Sequence, residues 1–84
     1  MSDPSNQALT LFVVPGCPLC VEAREWLTRR RARFIERDVK NDYGALRLMY
    51  RLTRQNLVPV VARGPVALVR PNERELDALL AERR

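Results

Sequence analysis

The feature that most constrains the fold is a buried-strand pattern that runs directly into an amphipathic helix. Residues 9–14 form an apolar, partly β-branched run with the length of a buried strand, and Pro15-Gly16 ends it. Apolar residues then recur at helical spacing as far as Trp26 and Leu27, with charged residues on the other side. The pattern therefore predicts a strand, a tight turn and a helix in immediate succession.

The rest of the chain continues this alternation. A second strand is predicted at residues 34–39 and a helix from about Tyr43 to Thr53. Two further strand-like runs, at residues 59–62 and 66–69, are separated by only three residues. So short a link predicts a β-hairpin.

The chain closes with a predicted helix. Asn72 followed by Glu75 is an Asn-x-x-Glu variant of the capping box, and Leu76, Leu79 and Leu80 give the helix an apolar side. The complete order is β-α-β-α-β-β-α. It predicts an α/β domain with a parallel strand pair joined by a right-handed crossover and an antiparallel hairpin at one side.

Length and composition fit one small domain. The chain has 84 residues, of which 46% are hydrophobic. We expect residues 1–7 to be a disordered or extended N-terminal segment and residues 8–84 to be the domain. The start is polar and lacks the features of a secretory signal, and no apolar run approaches the roughly 20 residues that span a bilayer. We therefore expect a cytoplasmic protein with no membrane partner.

The only two cysteines, Cys17 and Cys20, stand at the start of the first predicted helix. At the N-cap, Cys17 would face unpaired backbone N–H groups and the positive end of the helix dipole, which favour a thiolate. Pro18 suits the first helical turn, where its missing N–H has no intrahelical partner. Cys20 lies one turn on and can return to Cys17 to close a disulfide. The pair is therefore a candidate redox site.

Two other interpretations of the cysteine pair remain open. A C-x-x-C pair can be half of a zinc site, but the chain has no histidine and no third cysteine, so a monomer could not complete that site. A dimer could complete it. A static structural disulfide is the other alternative, although thiols inside the cell are normally kept reduced.

The formal net charge is +5, and the densest basic cluster is Arg29-Arg30-Arg31 with Arg33. Clustered arginines can bind nucleic acid phosphates. However, cations at a helix C-terminus also complement the helix dipole, so we interpret the cluster as a solvated face and expect no nucleic acid partner. A basic chain still favours acidic partner proteins through electrostatic steering.

Three features taken together carry a family resemblance. They are the segment Val14-Pro15-Gly16-Cys17-Pro18-Leu19-Cys20 after a strand, the segment Leu57-Val58-Pro59-Val60-Val61 about forty residues later, and the element order. The chain resembles glutaredoxins and related small redoxins of the thioredoxin fold, from about residue 8 to residue 83. The resemblance implies one thioredoxin-like domain, with a mixed four-stranded sheet and three helices, that acts as a dithiol–disulfide oxidoreductase.

The resemblance also implies residue roles. Cys17 would be the catalytic nucleophile and Cys20 the resolving thiol. Val58–Pro59 would be a cis peptide beside the cysteines, and the Val58 backbone would pair with the extended chain of a bound thiol substrate. From the residues alone, Pro59 could equally open an edge strand. The substrate-binding residues expected from this resemblance are Pro18, Leu19, Leu57, Val58, Pro59 and Arg70.

The chain departs from glutathione-using members of the family at several positions. Val14 stands where they commonly carry lysine or arginine, and Leu19 where they carry tyrosine. Arg70-Pro71 replaces a Gly-Gly pair, and Pro71 removes a backbone N–H donor. Arg70 could pair with the carboxylate of a small thiol or stabilise the Cys17 thiolate. It could equally be an exposed arginine that covers the edge of the hairpin.

The resemblance leaves the electron source and two other functions open. The reductant could be a small thiol, such as glutathione or an analogue, or a thioredoxin reductase, as for the redoxins that supply ribonucleotide reductase. We expect no bound cofactor, a monomer, and disulfide-containing proteins or small-thiol mixed disulfides as partners. The alternatives are a dimer that shares a 2Fe–2S cluster through Cys17 of each copy, and a binding module without redox activity.

Overall fold

The computed structural model describes residues 9–81. The strands are β1 (Leu9–Val13), β2 (Phe34–Asp38), β3 (Val60–Arg63) and β4 (Val66–Val69), and the helices are α1 (Pro18–Arg29), α2 (Tyr43–Thr53) and α3 (Glu73–Ala81). The predicted element order is confirmed. The hairpin strand begins at Val60 and not at Pro59, because proline has no N–H for the strand ladder. The predicted N-terminal segment, residues 1–7, lies outside the described residues.

The four strands form one mixed sheet in the order β2-β1-β3-β4. β1 pairs with β2 in parallel and with β3 in the antiparallel sense, and β3 pairs antiparallel with β4. The prediction of a parallel pair with an antiparallel hairpin at one side is therefore confirmed. The thioredoxin-type architecture implied by the resemblance is present, with three helices around this sheet.

The strand register places four chain segments at the same edge of the sheet. Val13, the last residue of β1, pairs with Asp38, and its neighbour Phe12 pairs with Val60 at the start of β3. Val60 in turn pairs with Val69 at the end of β4. The turn that carries the cysteines, the residues after β2, the residues before β3 and the residues after β4 therefore meet at the C-terminal end of β1.

The core is formed by apolar side chains from the two central strands and all three helices. Leu9, Leu11, Phe12, Val60 and Val61 are at most 1% exposed. Each helix contributes a fully buried residue to the same cluster, and these are Leu27 of α1, Met49 of α2 and Leu76 of α3. Within residues 9–81, no polar or charged residue is buried. Burial of each large apolar side chain favours folding by about 1.5–3 kcal/mol relative to exposure.

Side-chain caps fix where α2 and α3 begin. The Asp42 carboxylate accepts the Ala45 N–H at 3.1 Å and starts α2. At α3 the predicted capping box is present: Asn72 Oδ1 accepts the Glu75 N–H at 2.7 Å, and Glu75 Oε1 accepts the Asn72 N–H at 2.9 Å. These bonds satisfy backbone donors that have no intrahelical partner.

Arg30 ties the end of α1 to α3. Its Nε donates to Asp77 at 2.6 Å, its Nη2 to Glu73 at 3.2 Å, and its Nη1 to the Trp26 carbonyl at 3.1 Å. The interpretation of the arginine cluster as a solvated face is wrong for Arg30. It fits Arg29, Arg31 and Arg33, which take no part in these pairs. The α3 carboxylates that Arg30 binds lie more than forty positions away in sequence, so their proximity could not be read from local pattern.

None of the helices within residues 9–81 has the length and apolar character needed to cross a membrane.

Candidate active site

Cys17 is the N-cap residue of α1. Its backbone is extended, with φ −95° and ψ 113°, and Pro18 follows as the first helical residue. The Cys17 Sγ accepts the Cys20 backbone N–H at 3.1 Å. A donor aimed at the sulfur from the first helical turn can stabilise negative charge that develops there during a reaction.

Cys20 is buried, whereas Cys17 is half-buried. The Cys20 side chain is 1% exposed, and both cysteines are free thiols. Burial, followed by the hydrogen bond and the charge of Cys17, raises the pKa of the Cys20 thiol from 9.0 to about 11. Cys20 is therefore protonated at neutral pH while Cys17 is the more accessible sulfur.

The two sulfurs line an open cleft of about 330 Å³ on the β2 side of the turn. The residues around it are Val13, Val14, Pro15, Gly16, Cys17, Cys20, Val21, Arg24, Glu36 and Asp38. Arg24 lies one helical turn after Cys20, and its charge lowers the pKa of Cys20 against the larger effect of burial. Arg24 is itself held in place by a bidentate pair with Glu36 of β2.

The segment before β3 lies at the same edge of the sheet. The Val58–Pro59 peptide bond is cis, as the resemblance implied. Val58 and Pro59 are both buried, and Leu57 is 42% exposed. Among residues 9–81, the Val58 N–H donates no backbone hydrogen bond. The Val58 N–H is therefore a backbone donor without a backbone acceptor in this part of the chain.

Arg70, the residue after β4, is hydrogen-bonded to the cis-proline segment. Its Nε donates to the Val58 carbonyl at 2.7 Å, and its backbone N–H donates to the Pro59 carbonyl at 2.8 Å. Arg70 adopts a left-handed backbone with φ 48°. Within the described part of the chain its guanidinium makes no hydrogen bond to Cys17, so the suggested contact with the Cys17 thiolate is not formed. Arg70 instead holds the cis-proline segment.

The remaining residues expected at the site are at its surface. Leu19 is 45% exposed, and Pro18 is exposed beside it on the first turn of α1. Leu19 and Leu57 therefore present apolar side chains to solvent from α1 and from the cis-proline segment. Such exposed apolar residues beside a reactive sulfur can contact a bound polypeptide.

The metal-binding capacity of the described residues is limited. Among residues 9–81, no three His, Cys, Asp or Glu side chains are grouped so that they could hold a metal ion. A cluster shared by two copies would have to take a Cys17 thiolate from each copy.

Comparison with known proteins agrees with this geometry. The sequence profile of the glutaredoxin family matches residues 9–65. The chain belongs to the glutaredoxin family. A curated relative is the glutaredoxin-like 8.6 kDa protein encoded in the rubredoxin operon of Clostridium pasteurianum, whose activity is uncharacterised. It is 28% identical over 72 residues, which cover 86% of this chain and 96% of the relative.

Solved structures of similar fold include a glutaredoxin and a thioredoxin-like protein. The crystal structure of a glutaredoxin from Archaeoglobus fulgidus superposes with a TM-score of 0.78 at 21% identity, and the match covers 86% of this chain and 84% of that one. A thioredoxin-like protein superposes with a TM-score of 0.80 at 25% identity over 86% and 99% of the two chains. Membership of this family, together with the cysteine pair at the N-terminus of α1, identifies a thiol redox protein of the thioredoxin fold.

Sequence reasoning missed Arg24 as a charge near the cysteines, and it left several roles open for Arg70, none of which was a contact with Val58. Arg24 stands four residues after Cys20, and this helical spacing alone would have placed it on the same side of α1. No local signal pairs Arg70 with Val58, because the contact depends on the register between β3 and β4.

Proposed function

We propose that the protein is a thiol–disulfide oxidoreductase that reduces disulfides in proteins, or mixed disulfides with low-molecular-weight thiols, through Cys17 and Cys20. The observation that carries the proposal is the asymmetry between the two sulfurs. Cys17 is accessible and accepts the Cys20 N–H at 3.1 Å, whereas Cys20 is buried and its raised pKa keeps it protonated. Cys17 is therefore suited to attack the substrate, and Cys20 to react only in the second step.

In the first step, the Cys17 thiolate attacks one sulfur of the substrate disulfide. The substrate S–S bond breaks, a new bond joins Cys17 to the substrate, and the other substrate sulfur leaves as a thiolate that takes a proton from water. The backbone N–H of Cys20 and the start of α1 stabilise the attacking charge.

In the second step, Cys20 attacks the Cys17 sulfur of the mixed disulfide. Two of the three causes that raise the pKa of Cys20, the hydrogen bond and the charge of Cys17, weaken once Cys17 is covalently bound to substrate. The opposing charge of Arg24 remains. The pKa of Cys20 is therefore lower in the mixed disulfide, the state in which Cys20 must lose its proton, than in the dithiol. The products are a Cys17–Cys20 disulfide and the second substrate thiol, so two electrons have moved to the substrate.

The cis-proline segment would position the substrate. The available Val58 N–H can donate to a backbone carbonyl of an extended substrate chain, in the manner of a short β-strand pairing. Leu57, Leu19 and Pro18 would contact the side chains beside the substrate disulfide. Pro59 would pack beside the reacting sulfurs, and Arg70 would hold the Val58 carbonyl.

The electron source is a second part of the proposal. A small thiol, either glutathione or an analogue, or a thioredoxin reductase would return the Cys17–Cys20 disulfide to the dithiol. No bound cofactor takes part in these steps, and a monomer contains every residue that they use. A cytoplasmic location would supply both kinds of reductant.

The roles of the two cysteines are tested by Cys17→Ser and Cys20→Ser. We expect Cys17→Ser to abolish reduction of insulin and of small disulfides, because the attacking sulfur is lost. Cys20→Ser should retain activity on monothiol mixed disulfides, since the first step needs only Cys17. Each protein is assayed in parallel with glutathione, with other small thiols and with thioredoxin reductase as electron source. Complete loss in both variants on every substrate would contradict the assignment.

A further inference from the structure

The net charge of the chain is concentrated in one segment. Residues 43–72 contain five arginines and no acidic residue, whereas the rest of the chain carries ten basic and ten acidic residues. The whole formal charge of +5 therefore comes from this segment, which includes α2 and the cis-proline residues. The ion pairs seen within residues 9–81 involve Arg24, Arg30 and Arg37, which all lie outside it.

Two of the five arginines stand beside exposed aromatic residues on one side of α2. Tyr43, Arg47, Tyr50 and Arg51 follow the helical repeat, with Tyr43 72% and Tyr50 47% exposed. The Arg47 guanidinium carbon lies 5.8 Å from the centre of the Tyr43 ring. With Leu46 and Asn56 these residues surround an open groove of about 390 Å³, which we call the α2 groove.

The chain leads from the α2 groove directly into the cis-proline segment. Asn56 at its end is followed immediately by the exposed Leu57 and then by Val58 and the cis-proline. Arg54, at the C-cap of α2 two residues before Asn56, is exposed. Arg63, by contrast, lies at the far end of β3 from Pro59 and takes no part in this surface.

We propose that the α2 groove docks an acidic, partly apolar segment of the protein whose disulfide Cys17 attacks. The proposal deepens the proposed function and rests on it. Carboxylates of the partner pair with Arg47 and Arg51, and its apolar side chains cover Tyr43 and Tyr50. The partner chain then passes over Leu57 toward Val58. Exposed tyrosines beside arginines that form no ion pair within residues 9–81 have the composition that is enriched at protein interfaces.

A protein partner fits this surface better than a nucleic acid does. The chain at the end of the groove continues to the sheet edge that also carries the Cys17 turn, and Cys17 would react with disulfides, which proteins carry and nucleic acids do not. Only two arginines line the groove, whereas binding to a phosphate backbone usually draws on a longer basic track.

The test compares two short synthetic peptides, each with one cysteine blocked as a mixed disulfide with 2-mercaptoethanol. One has glutamates and a phenylalanine beside the cysteine, and the other has glutamines in place of the glutamates. At low salt we expect the reduced protein to attack the acidic peptide about tenfold faster, and the preference to fall as salt rises. Arg47→Gln with Arg51→Gln should remove most of this preference. Tyr50→Ser should slow the reaction with both peptides and leave the salt dependence unchanged.

The matched control is Arg29→Gln with Arg33→Gln, which makes the same change in net charge at the end of α1. This variant should keep the preference for the acidic peptide. All the variants should react normally with the small neutral 2-hydroxyethyl disulfide. Equal loss of preference in both double variants would mean that net charge, and not the α2 groove, attracts the peptide, and would overturn the proposal.

A binding assay separates failure of docking from failure of the redox function. Fluorescence anisotropy measures binding of a labelled acidic peptide with serine in place of the blocked cysteine. Binding that depends on Arg47 and Arg51 without any disulfide reduction would support docking and overturn the proposed function. Reduction without a preference between the peptides would overturn docking alone. Tighter binding of oligothymidylate than of the acidic peptide at the same arginines would overturn the protein partner in favour of a nucleic acid.

Discussion

The Arg70 side chain is bonded to the carbonyl oxygen of Val58, with 2.7 Å between Nε and the oxygen, while the Arg70 N–H is bonded to the Pro59 carbonyl at 2.8 Å. One residue thus ties the end of β4 to the cis-proline segment by both its backbone and its side chain. Its left-handed backbone, at φ 48°, costs a non-glycine residue about 1–3 kcal/mol. A hydrogen bond from a charged donor is worth about 1.5–3 kcal/mol and offsets that cost.

The first prediction is that the Arg70 side chain stabilises the fold. Arg70→Ala should lower the free energy of unfolding by about 1–2 kcal/mol, because it removes the bond to Val58 but keeps the backbone strain. Arg70→Gly should be less destabilising than Arg70→Ala, since glycine adopts positive φ without a steric cost. Urea unfolding of the reduced proteins measures both values. The reverse order of the two variants would contradict the strain argument.

Arg70 should also affect substrate binding more than turnover. Loosening the Val58 carbonyl leaves the Val58 N–H less well positioned, so Arg70→Ala should raise the KM for a peptide disulfide by roughly threefold to tenfold with little change in kcat. The control is Arg74→Ala, an exposed arginine on α3. A selective fall in kcat, with KM unchanged, would instead place Arg70 in the chemical step.

The second prediction is that a brief pulse of iodoacetamide at pH 7 modifies Cys17 and leaves Cys20 free. With a pKa of about 11, only roughly one Cys20 in ten thousand is a thiolate at this pH, and the side chain is 1% exposed. Peptide mapping by mass spectrometry locates the adduct. In the Cys17→Ser control, Cys20 should react only when the protein is unfolded with urea. An adduct divided evenly between the two cysteines would contradict the described burial.

The third prediction concerns stability at alkaline pH. Because burial, with a smaller contribution from Cys17, raises the pKa of Cys20 from 9.0 to about 11, the thiol is protonated in both the folded and the unfolded state well below pH 9. Between pH 9 and 11 only the unfolded state loses this proton, so the stability of the reduced protein should fall by up to about 3 kcal/mol.

This pH effect is isolated by difference, because a change in stability that does not involve the Cys20 thiol is common to both proteins. Urea unfolding is measured at several pH values for the reduced protein and for Cys20→Ser, which has no thiol at that position. The reduced protein should lose more stability than Cys20→Ser as pH rises from 9 to 11. Parallel curves for the two proteins would show that Cys20 is not buried as described.

The fourth prediction concerns the link between α1 and α3. Arg30→Gln should lower the midpoint of thermal unfolding by a few degrees, because it removes the pairs with Glu73 and Asp77. The effect should shrink at high salt and below the lowered pKa of Asp77. Arg29→Gln, in the same cluster but without these pairs, is the control. An equal effect of both substitutions would mean that the α1 dipole, and not the ion pairs, is responsible.

Local patterns predicted the secondary structure well. The alternation of apolar residues and the turn residues located all seven elements, and the α2 bounds, Tyr43–Thr53, were predicted without error. The capping box at Asn72 and Glu75 was also readable, since both partners lie within one helical turn. These features depend on neighbouring residues, so the linear sequence contains the information that specifies them.

Contacts between distant residues could not be predicted in this way. Arg70 and Val58 are 12 positions apart, and Arg30 and Asp77 are 47 apart. Each contact depends on where whole strands or helices pack. The sequence identified Arg70 as a candidate site residue, but only the hairpin register decided that its guanidinium binds the Val58 carbonyl.

The sequence by itself determined the order of strands and helices, the position of the cysteine pair at a helix N-terminus and the resemblance to glutaredoxins. The tertiary structure decided how the two sulfurs differ. Cys17 and Cys20 are the same residue type three positions apart, and the sequence pattern does not show which of the two is buried. Burial against the sheet raises the pKa of Cys20, because desolvation disfavours a buried thiolate, and it leaves Cys17 as the accessible sulfur.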